Sequence, residues 1–482
     1  MSNSTELRDM QGRNESWQTR DGQYEYASNY QGAGGFPLSD AEESSTYYRS
    51  GSKQDFEDHE RRLSEGLPPP PYWFNPWTAA HIALKSSSRL SSYSNVLFPA
   101  VPAGIVLWYT LREQHPRLVF AFNFIGIVPA GNLLAFASGE LGHKLPPTLA
   151  SYLEVLTGAF VEIIITMILL FERQFSVVRD ALLGSMLANL LLVTGMCFFA
   201  GGLKHREQEV AEYVAELSNA ALLISAAGLV LPGVFFQSLD SRLDVTTDRV
   251  DRRFLQVSRV VSFWLLISYI CFVVFQLKTH HSAFHQIIEK AESQNHHKHQ
   301  KHQYRKKLSV LEAIIVMLIG LTLVTFCAYF MVQIIPNIVE KQNVSELFLG
   351  LILVPVIEKA AEHLTTLSQA INNQQTLAIS NCLGGTVQTA LLVTPLVVLV
   401  GWAANRDMDL NFEFFVVFSL LLAVLIVGNF LRDGKTHWLE GLFLLMVYLV
   451  IATAAYNYPN REELSVDATE TPPTVRETTP RL

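Results

Sequence analysis

Eleven stretches of about twenty apolar residues follow one another along this 482-residue chain, near 93–111, 119–138, 147–170, 178–202, 213–237, 257–277, 309–334, 343–367, 376–402, 411–432 and 437–456. As a helix, each is long enough to cross a hydrocarbon layer of about 30 Å. A backbone inside lipid must satisfy its own N–H and C=O groups, which leaves helices and closed barrels as the spanning structures. Runs of this length predict an all-α polytopic membrane protein with about 11 transmembrane helices, packed as a bundle because the loops are mostly short. Composition agrees: 49% of residues are hydrophobic and 17% charged, too apolar for a soluble chain of this size. Membrane lipid is then the main surroundings of the chain.

The polar segments set the organisation. Residues 1–90 are rich in Ser, Asp, Glu, Arg, Tyr and Gly and end in a proline run from Pro68; such a composition buries too little apolar area to offset the entropy of ordering, so a disordered cytosolic tail is expected. An extra transmembrane helix, 91–112, follows. The connector 278–308 carries His280, His281, His285, His296, His297, His299 and His302 with seven Lys or Arg against Glu289 and Glu292, and its positive charge places it on the cytosolic side. It reads as a solvated linker; a pH reporter or a loose divalent-ion binder are the alternatives. Five apolar stretches precede it, over 119–277, and five follow, over 309–456. An odd number reverses the second half, so two inverted five-helix repeats are expected, an arrangement that places substrate sites near the midplane. Residues 457–482 form a second disordered tail. Cys197, Cys271, Cys327 and Cys382 all lie in apolar stretches and are expected as free, buried thiols.

Two carboxylates lie at membrane depth, Glu162 and Glu362, 200 residues apart. A charge there costs about 2.5–3.5 kcal/mol on insertion scales, so acids kept in both halves point to an ion or proton path. Each is followed by a helix carrying glycine and amide or hydroxyl side chains: Gly184, Ser185 and Asn189 in the first half, Gly384, Gly385, Thr386 and Gln388 in the second. Two opposed glutamates as metal ligands, with Ser185, Asn189, Thr386, Gln388 and freed carbonyls, supply the oxygens a hard cation requires. The same carboxylates can hold protons, because desolvation favours the neutral carboxyl. Competition of a cation and protons for one site is the simplest chemistry of an antiporter. The bland alternative is that the acids pair with Lys or Arg to bind helices together.

Several long matches then carry a family resemblance: Leu182 to Gly202, Val274-Phe-Gln-Leu-Lys-Thr-His280, Ala360-Ala-Glu-His363, Pro395 to Trp402 and Arg432-Asp-Gly-Lys-Thr-His-Trp-Leu-Glu-Gly441. Over about 85–456 the chain resembles the calcium/proton exchanger (CAX) family of the cation/calcium exchanger superfamily. The resemblance implies a ten-helix inverted-repeat core, often with an extra first helix, that drives calcium into acidic stores with a proton gradient; a vacuolar or other endomembrane location comes from the resemblance alone. The family signature reads Gly-Asn-Ala-Val-Glu in the first half and Gly-Asn-Ala-Ala-Glu-His in the second. Here the segments read Gly158-Ala-Phe-Val-Glu162 and Glu358-Lys-Ala-Ala-Glu-His363. Ala159 removes one neutral ligand, and Lys359 puts a cation where the other stood, able to approach Glu362. Glu154 and Glu358 add acids, and His363 reads as a pore-lining or packing residue. Glu154, Ala159, Glu358, Lys359 and His363 thus form a selectivity-altering set.

A calcium/proton antiporter working by alternating access is the leading reading. A sodium or potassium/proton antiporter is the first alternative, because a nearby fixed positive charge weakens a divalent ion more than a monovalent one. A membrane scaffold or sensor of the same fold is the second. A secondary transporter is expected, not an enzyme: the chain shows no phosphate-binding loop, zinc-ligand spacing or nucleophile elbow. Inorganic cations and protons are its expected partners and cargo, with no resident cofactor and no nucleic acid.

Overall fold

The computed structural model describes residues 95–142, 144–145, 147–240, 247–279, 308–342 and 344–460. The expected leader 1–90, the connector histidines and residues 461–482 lie outside that set. The first half contains α1 (Ala100–Leu111), α2 (Pro116–Gly142), α3 (Pro147–Phe171), α4 (Phe175–Leu187), α5 (Thr194–His205), α6 (Glu212–Asp240) and α7 (Thr247–Val274). The second contains α8 (Val310–Gln342), α9 (Glu346–Phe348), α10 (Val354–Glu358), α11 (Ala360–Ile371), α12 (Gln375–Gln388), α13 (Thr394–Ala403), α14 (Phe414–Phe430) and α15 (Trp438–Tyr456). Capping boxes start two of these: Ser309 and Glu312 bond each other's backbone N–H at the head of α8, as His437 and Glu440 do at α15.

Among the described residues, eight helical segments are long and apolar enough to span a bilayer, not eleven: Pro116–Gly142, Phe175–His205, Glu212–Phe235, Arg252–Val274, Val310–Val339, Gln375–Ala403, Phe414–Asp433 and Trp438–Tyr456. Asn95–Leu111 and Thr157–Phe171 are apolar but shorter. The stretch read as one helix over 343–367 is instead broken into α9, a π-helical turn at Leu349–Leu353, α10 and α11. Pro355 fits because the π turn has already interrupted the hydrogen-bond ladder. The second break falls at Lys359, whose φ of −108° and ψ of 9° lie outside the helical region.

A π-helical turn also joins α4 to α5, at Ala188–Val193, and another joins α12 to α13, at Thr389–Val393. Both have the same cause: Thr194 Oγ1 donates to the Asn189 carbonyl and Thr394 Oγ1 to the Thr389 carbonyl, each at 2.8 Å. The turns entering α4 and α12 also match, with Arg173 and Asn373 at φ of 62° and 65°.

The all-helical expectation omits one small ladder, β1 (Glu207–Glu209) antiparallel to β2 (Lys435–His437), with Gln208 opposite Thr436. Buried Gln208 donates from Nε2 to the Ala370 carbonyl and to Asn373 Oδ1, so this ladder ties the ends of α5 and α11 to the turn before α12. The most extensive packing joins α2 to α8, one helix from each half. Side chains such as Leu223, Ile224, Val260, Trp264, Leu318, Phe326, Phe418 and Val450 stay on the outside, as a bundle with lipid for a solvent requires. Cys271 belongs to this outer face, which corrects the expectation of four buried thiols; Cys197, Cys327 and Cys382 are buried, and all four are free. Past α15, Asn460 accepts from Glu346 N and donates to the Val344 carbonyl, so the chain turns back onto α9.

Candidate functional site

Where α3, α4 and α12 meet the broken α10–α11 segment, polar side chains of both halves converge in an otherwise apolar core. Glu162, on α3, is 1% exposed, and Lys359, at the α10–α11 break, is 2% exposed. Lys359 Nζ lies 2.9 Å from Glu162 Oε2 and donates to Thr389 Oγ1 at 3.1 Å. Thr389 Oγ1 in turn donates to the same Glu162 oxygen at 2.9 Å. Lys359 thus crosses from the second half to the acid of the first, while Glu362, which the sequence placed within its reach, stays within electrostatic range.

Glu362, on α11, approaches the same helix one turn earlier. Its Oε1 lies 2.7 Å from where a Cβ at Gly158 would fall, and Gln388 Oε1 lies 3.9 Å from that point. Only glycine admits a carboxylate this close to the α3 backbone. The two membrane-depth acids therefore flank one turn of α3, Glu162 with Lys359 and Thr389 on it, Glu362 beside Gly158 and Gln388. Tyr269, on α7, lies toward Gln388.

The other residues distribute around this pair. Asn189 Oδ1 is 3.3 Å from His363 Nε2, and Asn189 Nδ2 lies 3.1 Å from the Cβ position of Gly385, with Lys359 Nζ 4.0 Å from it. Thr386 is buried, but its hydroxyl donates to the Cys382 carbonyl of its own helix. Ala159 is fully buried in the apolar core. Glu358 and Ser185 are buried at 5% and 0% exposure, with Glu162, Lys359 and Glu362 all within electrostatic range of Glu358. Glu154 lies on α3, but its side chain is outside the described residues. Thr389 was missed at the sequence level, although it stands 200 positions after Asn189, the offset that separates the two acids.

Lys359–Glu162 is the most deeply buried ion pair among the described residues. Such a pair survives only with further hydrogen bonds, here from Thr389. No group of three or more His, Cys, Asp and Glu side chains among the described residues is arranged to hold a metal ion. A cation here takes carboxylate, hydroxyl and carbonyl oxygens together, the donor set of a hard ion.

Comparison with known proteins places the chain among ion exchangers. Residues 115–278 and 312–457 match the family model described as sodium/calcium exchanger protein. The vacuolar calcium ion transporter of Schizosaccharomyces pombe is 33% identical over 78% of this chain and 88% of its own length. The vacuolar cation/proton exchanger 1 of Arabidopsis thaliana is 32% identical over 74% and 76%. Among solved structures, the Ca2+/H+ antiporter protein YfkE in its native form superposes with a TM-score of 0.61 at 25% identity, covering 75% of this chain and all of that one.

Proposed function

This chain belongs to the sodium/calcium exchanger protein family, and on that premise we propose that it exchanges calcium for protons across a vacuolar or other endomembrane. The observation that carries this reading is the buried meeting of Glu162 with the α10–α11 break, where acids from both halves flank one turn of α3. The names of its relatives supply calcium, protons and the vacuole; the site supplies the oxygens and the charge. Exchange requires that the cation and protons bind differently in two conformations of the bundle. Proton binding on the acidic side releases the cation, and deprotonation on the cytosolic side recaptures it.

Our reading of the architecture is two inverted five-helix repeats with an extra first helix. Three features recurring at an offset of 200 support it: the left-handed turns at Arg173 and Asn373, the acids Glu162 and Glu362, and the threonine-stabilised π turns at Thr194 and Thr394. The Lys359 ammonium on Glu162 favours one second reading, exchange of sodium or potassium.

Sealed vesicles with an acid interior test the proposal. Calcium outside is expected to dissipate the proton gradient of the unmutated protein, and Glu162→Gln or Glu362→Gln to abolish that response. Dissipation by sodium or potassium and not by calcium selects the second reading; silence toward all three sinks antiport altogether. Placing asparagine at both Ala159 and Lys359 separates altered selectivity from lost transport: calcium movement only in that double variant means the native chain is no calcium exchanger.

A further inference from the structure

One group of buried oxygens is left over once the Lys359 contacts are assigned. Glu162 uses Oε2 for Lys359 and Thr389, and its Oε1 is buried without a hydrogen-bond partner. Both carboxylate oxygens of Glu358 and the hydroxyl of Ser185 are in the same condition. Ser185 lies toward Glu358 without reaching hydrogen-bond geometry. The helices that carry them are pressed together: a Cβ at Gly184 would collide with the Leu351 carbonyl and fall 2.7 Å from Pro355 Cγ, and one at Gly350 would fall 2.7 Å from Asp180 Cβ. α4 therefore holds Ser185 against the α10 segment that ends in Glu358.

Buried polar atoms left unpaired are costly and rare, and a lone buried carboxylate is among the most expensive. Three carboxylates, those of Glu162, Glu358 and Glu362, share this region with one ammonium. Lys359 offsets one negative charge and, by its position on Glu162, fills the space between that acid and the second half.

We propose that the transported cation is held by Glu358, Ser185 Oγ and Glu162 Oε1, displaced from the Glu162–Glu362 pair because the Lys359 ammonium occupies that side of Glu162. Helix carbonyls at the break complete the oxygen shell, and the three carboxylates around it less the one ammonium, Glu362 included, leave two negative charges to match a divalent ion. This assignment rests on the calcium/proton reading above and deepens it: the substitutions that remove the family's neutral ligands move the ion position and do not erase it.

Equilibrium calcium binding and melting temperature, measured on the purified full-length chain in detergent, test the assignment independently of transport. Glu358→Gln is expected to weaken calcium binding at least tenfold and to lose the calcium-dependent rise in melting temperature. Without calcium it should melt at or above the unmutated protein, since a buried unpartnered charge is gone. Glu358→Asp should keep more affinity than Glu358→Gln, and Ser185→Ala, from the other half, should lose about threefold or more, the scale of one weak oxygen ligand. Unchanged affinity in Glu358→Gln overturns the proposal; if that variant does not accumulate, unchanged affinity in both Glu358→Asp and Ser185→Ala does so. An unmutated chain that binds no calcium overturns it as well. One that binds calcium through Glu358 yet moves none across sealed vesicles sinks the exchange reading and leaves the binding position standing.

Discussion

A single side chain, Lys359, decides how the acids of this site are used. Its ammonium bridges Glu162 and Thr389 inside the bundle, so Lys359→Met strands a carboxylate that is 1% exposed. Removing one partner of such a pair costs about 3–5 kcal/mol, which a lowered melting temperature in detergent reports; adding Glu162→Gln to the same chain should restore most of the loss. Gly158 is a second residue whose identity is set by one contact. A Cβ there falls 2.7 Å from Glu362 Oε1, so Gly158→Ala displaces that carboxylate and is expected to lower the calcium-driven proton flux severalfold. Gly139→Ala, where a Cβ meets nothing within 4 Å, should leave the flux unchanged. Thr389 is the residue that motif reading passed over: Thr386 and Gln388 carry the more conspicuous polar groups nearby, but Thr386 spends its hydroxyl on its own helix, and it is Thr389, three residues further on, that reaches Glu162.

Among the elements, the repeated helix–π–helix unit is legible only in hindsight. Gly184 and Gly384 stand at equivalent places in α4 and α12 and read alike in sequence, yet their surroundings differ. α4 packs backbone to backbone on the π turn at Leu349–Leu353, with the Leu351 carbonyl against Gly184, whereas a Cβ at Gly384 meets nothing within 4 Å. Gly184→Ala is therefore expected to prevent accumulation of folded protein, and Gly384→Ala to be tolerated, as fluorescence-detected size-exclusion chromatography of solubilised membranes would show. Helix length was readable wherever an apolar run is uninterrupted, as in α8 and α14. It failed over 343–367, where a continuous apolar run outweighed the stop that Pro355 signals, and where the second break, at Lys359, falls on a residue that is itself a good helix former.

For the whole molecule, the two halves hold each other through contacts that do not involve the connector: α2 on α8, α5 on α15, and the β1–β2 ladder. Deleting 280–307 and replacing it with a flexible linker long enough to span the gap should leave calcium-dependent proton movement intact in sealed vesicles. Loss of exchange with normal accumulation would give the histidine-rich segment a direct part in transport. By itself, the sequence determined that this chain belongs in a bilayer, that its spanning units are helices, and that Glu162 and Glu362 are its candidate ion-path acids, because hydropathy and the cost of a charge in hydrocarbon are properties of residue type and spacing. Only the tertiary structure decided that Lys359 joins Glu162 and that Glu358 and Ser185 face one another with their oxygens unspent. Those pairings depend on which helices touch and how a broken helix aims its side chains, and they join residues as far apart as Glu162 and Lys359, 197 positions along the chain.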